Sequence, residues 1–271
     1  MSKVSGVAGY ENKCKTLRQD DDSTLWSSAL TRIGNEWKKL SKELPSLNEE
    51  GIFIEAEEDL SSFHIMILKK DEGPYKNIPF CFTISPCRNP ESNLLYPMIP
   101  PIVKYHSLTS NWIHPNIKPS GDICISILGY SYVGGKSDVW NPAMNIRSIV
   151  LTLSGILNKN AIKNEPAYST REDNSSDVIL YDKAVEYACM KSTIEAYDDI
   201  FNPESDSASL TSSILSKTFR KQIQNRLKDS LIHFRELCNQ GNRHYRVYSF
   251  SIDAYYKNLS VKIDKLLQVL F

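Results

Sequence analysis

The sequence predicts an α+β fold: an N-terminal helix, a four-stranded antiparallel meander, then helices, with a helical extension at the C-terminal end. Three observations predict it. Apolar residues recur at helical spacing between Leu25 and Leu40. Four short β-prone runs follow between Ile52 and Tyr105, separated by turn residues. From Ile146 onward the helical period returns.

Residues 1–22 read as a flexible arm, because Gly6, Gly9 and Asp20-Asp21-Asp22 favour disorder. Ser23 or Thr24 is placed to cap a helix. Leu25, Ala29, Ile33, Trp37 and Leu40 mark its apolar stripe over residues 25–44, and Pro45 is expected to end it. Arg32, Lys38 and Lys39 lie off that stripe, on a face that is solvated or docks a partner. Ile52, Ile54 and Ala56 alternate with Phe53, Glu55 and Glu57 in a first strand. Residues 63–68 form a second, Asp71-Glu72-Gly73-Pro74 a turn, and residues 79–84 a third. Residues 85–95 read as a polar loop. Tyr96-Pro97-Met98-Ile99-Pro100-Pro101 is extended and rigid, since its prolines fix φ and remove donors. Residues 102–105 are the fourth strand.

Ile146, Ile149, Val150, Leu153 and Leu157 predict a helix that runs through Gly155. Residues 158–168 are irregular and 178–196 helical. Two C-terminal helices are marked by Leu215, Phe219, Ile223, Leu227, Leu231 and Phe234, and by Ile252, Tyr256, Leu259, Ile263, Leu266 and Leu270. The chain thus divides into an arm (1–22), a core domain (23–200), a Ser-rich linker (201–213) and a helical extension (214–271). The two stripes of the extension pack as a hairpin or bind a partner helix.

Composition narrows the function. At 271 residues, with 41% hydrophobic and 24% charged residues, the chain can bury a core. Its net charge of zero argues against a nucleic-acid binder. The zero is uneven: residues 204–271 hold 11 Lys+Arg against 6 Asp+Glu, leaving 21 against 26 before them. No run of about 18 apolar residues predicts a membrane span, and the polar start carries no secretory signal. Cysteines at 14, 81, 87, 124, 189 and 238 show no zinc-like spacing, so no metal or cofactor is expected. Scattered thiols suit a reducing compartment, the cytoplasm or nucleus.

The chemistry concentrates in residues 112–125. Pro115 fixes its own φ and restricts His114, and Pro119-Ser120-Gly121 reads as a turn. Cys124 follows Asn116 by eight residues, so the turn can bring the amide back beside the sulfur. A thiolate attacks a carbonyl, and an amide N–H can hold the developing oxyanion. A cysteine between Ile123 and Ile125 is more often a buried small hydrophobe. The spacing points elsewhere. His-Pro-Asn-Ile, three residues, then Gly-x-Ile-Cys resembles the active-site signature of the ubiquitin-conjugating enzymes. Tyr96-Pro-x-x-Pro-Pro and Trp140-x-Pro-Ala are similar to two further landmarks of that family, in the same order, and the likeness covers roughly residues 25–190.

The resemblance implies the ubiquitin-conjugating (UBC) fold and a transferase within an ATP-dependent cascade. Cys124 would take the carboxyl of ubiquitin or a ubiquitin-like modifier from an activating enzyme as a thioester and pass it to a substrate lysine. Asn116 would steady the oxyanion or its loop, and His114 would be structural. Glu172 or Asp173 would orient the lysine, although the family's Pro-Asn-Pro run is broken after Pro166. Arg32, Met98, Asn141, Pro142 and Ala143 fall where a RING-type ligase docks, and the first helix also serves the activating enzyme. Asp59-Leu60, Phe63 and Asp71-Glu72-Gly73-x-Tyr75-Lys76 are similar to the neddylation branch, whose carriers act on cullin-type substrates. Both modifiers therefore stand as readings. Two other classes compete. An inactive binding module of the same fold would lack the cysteine or the His-Pro-Asn turn. A cysteine protease needs a base, for which only His106 and His114 are near.

Overall fold

The computed structural model describes residues 15–16, 23–89, 94–129, 140–201, 218–248 and 250–271. Helix α1 spans Ser23–Glu49 and buries Ala29, Ile33 and Leu40. It does not end at Pro45, as expected, but carries it inside. Leu47, two turns beyond Leu40, is buried as well, so the apolar stripe continues past the proline. Pro45 removes only one rung, close to the end of the helix. Gly51, at φ 86°, then turns the chain, and its N–H reaches the Asn48 carbonyl at 3.1 Å.

Among the described residues, β1 (Lys15–Thr16) precedes α1, and β2 (Ile52–Ala56), β3 (Phe63–Leu68), β4 (Pro79–Ser85), β5 (Cys87–Asn89), β6 (Leu94–Leu95) and β7 (Ile102–His106) follow it. The antiparallel sheet is ordered β2-β3-β4-β7, the expected meander. A second small sheet, β1-β5-β6, corrects two expectations. Residues 85–95 are not simply loop, because Cys87 and Leu95 are buried and Cys87 packs with Ile99 and Ile102. Within the expected arm, Lys15 and Thr16 pair antiparallel with Arg88 and Cys87. Residues 1–14 and 17–22 of that arm lie outside the described residues, as do residues 130–139.

The chain forms two compact units. Unit one comprises Met1–Ile65, Phe82–Tyr105 and Asp122–Ile156. In it α1 packs on β2 and on α2 (Ile146–Ile156), with Trp37 and Phe63 ring centroids 5.7 Å apart. Ile146, Ile149, Val150 and Leu153 of α2 are fully buried. Asn145 caps this helix by accepting the Ser148 N–H at 2.9 Å.

Unit two comprises Met66–Cys81, His106–Gly121 and Leu157–Phe271. Its spine is α3 (Ser176–Phe201), longer than the 178–196 expected and buried on most faces. A 3-10 turn (Ala161–Asn164) precedes it within the stretch expected to be irregular. Then come α4 (Arg220–Leu237), the hairpin β8 (Arg243–Arg246) and β9 (Ser251–Ala254), and α5 (Tyr256–Leu270). Helix α4 packs on α5, and α5 on α3. Ile252, expected to open the last helix, is instead paired with Tyr245 in the hairpin. The four-residue step from Ile252 to Tyr256 imitated a helical period where a strand hands over to a helix. At that junction the Tyr255 N–H donates to Tyr187 Oη at 2.9 Å, and the Tyr187 and Tyr256 rings stand 4.9 Å apart. The expected linker from Asn202 onward, and Leu215, lie outside the described residues.

Candidate active site

Burial alternates from residue 121 to 126. Gly121, Ile123 and Ile125 are buried, while Asp122, Cys124 and Ser126 are half-buried. That is the pattern of an extended segment resting one face on the core. The isoleucines that made Cys124 look buried supply the buried face themselves and leave the thiol on the open one. Ile125 is extended (φ −126°, ψ 147°), and a 3-10 turn (Ser126–Leu128) follows. Gly129, at φ 81°, closes that turn by donating its N–H to the Ser126 carbonyl at 2.8 Å. Lys104 Nζ donates to Asp122 Oδ1 at 3.0 Å, two residues before the sulfur. Among the described cysteines only Cys124 is not buried. Burial pushes the Cys81 and Cys189 thiols far up, and that of Cys238 to about 11, so these three stay protonated.

The His-Pro-Asn turn lies in unit two. His114 is fully buried, and its Nδ1 accepts the Asn116 backbone N–H at 3.0 Å. A neutral ring in that position carries its proton on Nε2. The Ile117 N–H returns to the His114 carbonyl at 3.1 Å. Tyr75, itself buried, donates its hydroxyl to the Ile113 carbonyl at 2.9 Å and lays its ring 5.9 Å from that of His114. The imidazole is thus built into the turn. Asn116 is half-buried in the same unit, which also holds Glu172 and Asp173, both exposed. Lys163 Nζ lies 2.5 Å from Asp173 Oδ1 and holds that carboxyl below its usual range.

An acid without a sequence motif sits deeper in unit two. Both carboxylate oxygens of Asp182 accept the Asn160 N–H, at 2.9 and 3.2 Å, and burial raises Asp182 to about 6. Asn160 adopts φ 62°, which Asn tolerates better than most residues. One turn along α3, burial lifts Glu186 to about 7.

The expected docking residues gather in unit one around a residue that the sequence alone did not single out, Glu36. Its carboxylate accepts the Tyr96 hydroxyl at 2.6 Å and the Ile146 N–H at 3.0 Å, and pairs with Arg32. Arg32 also donates to the Met144 carbonyl at 3.0 Å. Trp140 Nε1 donates to the Pro97 carbonyl at 2.8 Å, and its ring packs 5.8 Å from Tyr96. These bonds tie α1, the Tyr96–Pro101 segment and residues 140–146 together. Met98, Asn141, Pro142 and Ala143 stay exposed, with the Ala143 N–H held by Asn141 Oδ1 at 3.0 Å. The i,i+4 spacing of Arg32 and Glu36 was the available signal for the pair. Nothing local signalled the reach to Tyr96 and Ile146.

Fold and motif order define a ubiquitin-conjugating domain. The profile described as "Ubiquitin-conjugating enzyme" matches residues 32–188, and the chain belongs to that family. "Probable ubiquitin-conjugating enzyme E2 25" of Arabidopsis thaliana is 33% identical over 162 residues, which is 59% of this chain and 24% of that protein. "Ubiquitin-conjugating enzyme E2 Z" of Homo sapiens is 27% identical over 190 residues, 69% of this chain and 49% of that protein. The Xenopus tropicalis protein of the same name is 26% identical over 174 residues, 63% of this chain and 51% of that protein. The chain therefore spans about half or less of the length of these relatives. Among the described residues, no helix is long and apolar enough to cross a membrane, and no cluster of three His, Cys, Asp or Glu could hold a metal ion.

Proposed function

We propose that Cys124 carries ubiquitin as a thioester and passes it to a lysine. The observation that carries this reading is that Cys124, eight residues after Asn116, is the one described cysteine that is not buried. In loading, the Cys124 sulfur attacks the thioester carbonyl on the activating enzyme, whose own thiol leaves. In transfer, a lysine amine attacks the new thioester, an amide bond forms, and the Cys124 thiol is released. Asn116 steadies the oxyanion or its loop. His114 acts as scaffold, a role supported by its burial and its bond to the Asn116 N–H. Between the two exposed acids, Glu172 is the better candidate to orient the lysine, since Asp173 is engaged by Lys163.

A RING-type ligase fits the exposed Met98 and Asn141–Ala143 beside Arg32. The activating enzyme uses α1 as well, so loading and ligase docking alternate. Ubiquitin is the preferred modifier because the relatives above are all named for it. Among the residues similar to the neddylation branch, Tyr75 bonds the Ile113 carbonyl and Glu72 pairs with Lys76, so these have local contacts of their own.

The test incubates the full chain with activating enzyme, modifier and ATP, and resolves the products with and without reductant. Ubiquitin and the neddylation modifier run in parallel, each with its own activating enzyme. A reductant-sensitive ubiquitin adduct that vanishes in Cys124→Ala is expected. No adduct with either modifier, or one that survives Cys124→Ala, overturns the proposal.

A further inference from the structure

Resting on that reading, we propose that Asp122 is a positioning residue for transfer: its carboxylate holds the ammonium of the incoming lysine beside Cys124, with Lys104 as its resting partner. The alternating burial of residues 121–126 puts Asp122 and Cys124 on one open face of an extended segment. Residues two apart on such a segment stand about 7 Å apart at Cα. Both side chains of the pair remain reachable, with Lys104 39% and Asp122 32% exposed, and Nζ lies 3.0 Å from Oδ1. Lys104 thus shows the geometry in which an ammonium is received one pleat from the sulfur.

A carboxylate with a second oxygen and further lone pairs accepts more than one donor. The acceptor lysine therefore joins or displaces Lys104 rather than entering an unpaired site. The ammonium first gives one proton to water; the free amine nitrogen then bonds to the thioester carbonyl carbon, the carbon–sulfur bond breaks, and the nitrogen's second proton ends on the Cys124 sulfur, released as thiol. Asp122 orients the ammonium before that loss and does not keep the proton.

The test starts from the preformed Cys124–ubiquitin thioester, so differences in loading do not enter. Discharge is timed against free lysine and against hydroxylamine, a nucleophile uncharged at neutral pH. Asp122→Asn should slow lysine discharge roughly two- to fivefold, the strength of a half-exposed ion pair. Its loss should appear as a higher half-saturating lysine concentration, with hydroxylamine discharge unchanged and rescue by Asp122→Glu. Lys104→Met, which removes the resting competitor, should lower the half-saturating lysine concentration. Equal slowing of both nucleophiles by Asp122→Asn would mark a merely structural role, and no slowing of either would mark none. Either result overturns the inference while leaving the thioester itself intact. Failure of the wild-type chain to form any adduct would instead strike the parent proposal.

Discussion

Glu36→Ala is the perturbation that most directly tests how α1, the Tyr96–Pro101 segment and residues 140–146 are held together. The Glu36 side chain is only 10% exposed, and it accepts the Tyr96 hydroxyl, the Ile146 N–H and Arg32. A hydrogen bond to a charged group contributes about 1.5–3 kcal/mol. The Arg32 share is smaller, because that side chain is 35% exposed. Truncation strands a largely buried phenol and a helix-terminal N–H, so the cost is about 3–5 kcal/mol. For a chain of this size that lowers Tm by on the order of 10 °C. Glu36→Gln keeps an acceptor oxygen and should cost about 1–2 kcal/mol. Urea unfolding gives each value, and the double variant with Tyr96→Phe should show a coupling of about 1–2 kcal/mol. A Glu36→Ala loss within about 0.5 kcal/mol, the level of an ordinary surface change, would refute the reasoning, as would strict additivity.

Glu186 tests the buried acids of unit two. Burial, then the charge of Asp182, raises it to about 7, against a weaker opposing effect of Lys183 and a further push from Glu72. A carboxyl raised in the folded state is protonated there while still ionised in the unfolded chain, so stability falls as pH rises from about 4 to about 7. Glu186→Gln should flatten that slope and add roughly 1–3 kcal/mol at pH 8, discounted for partial exposure; an unchanged slope in chemical denaturation across that range would contradict it. Ile263 of α5 is fully buried where α5 packs on α3 and α4. Ile263→Ala should cost about 2–5 kcal/mol in urea unfolding, and a loss near zero would mean that the C-terminal helices do not share the core of unit two.

Much of the site was legible because its features are local. Pro115 beside His114 marks a rigid turn, and the eight-residue interval from Asn116 to Cys124 is countable on the chain. The two proline segments are visible for the same reason. Periodicity located most elements, since an apolar stripe records burial on one face. It failed where two causes produce one spacing. Ile252 and Tyr256 sit one helical turn apart in sequence, yet Ile252 pairs with Tyr245. Pro45 looked like a terminator, yet Leu47 keeps the helix anchored beyond it.

The sequence by itself determined the order of α1, the β2-β3-β4-β7 meander and the later helices, the motif around Cys124 and the family, because each rests on residues near one another along the chain. Tertiary structure alone decided which polar groups meet. Glu36 reaches Tyr96 and Ile146 across sixty and 110 residues, and Lys104 reaches Asp122 across eighteen. It also decided that Cys124 is open while Cys81, Cys87, Cys189 and Cys238 are buried. The reason is physical: burial and hydrogen bonding depend on what packs alongside in space, and no local pattern records that partner.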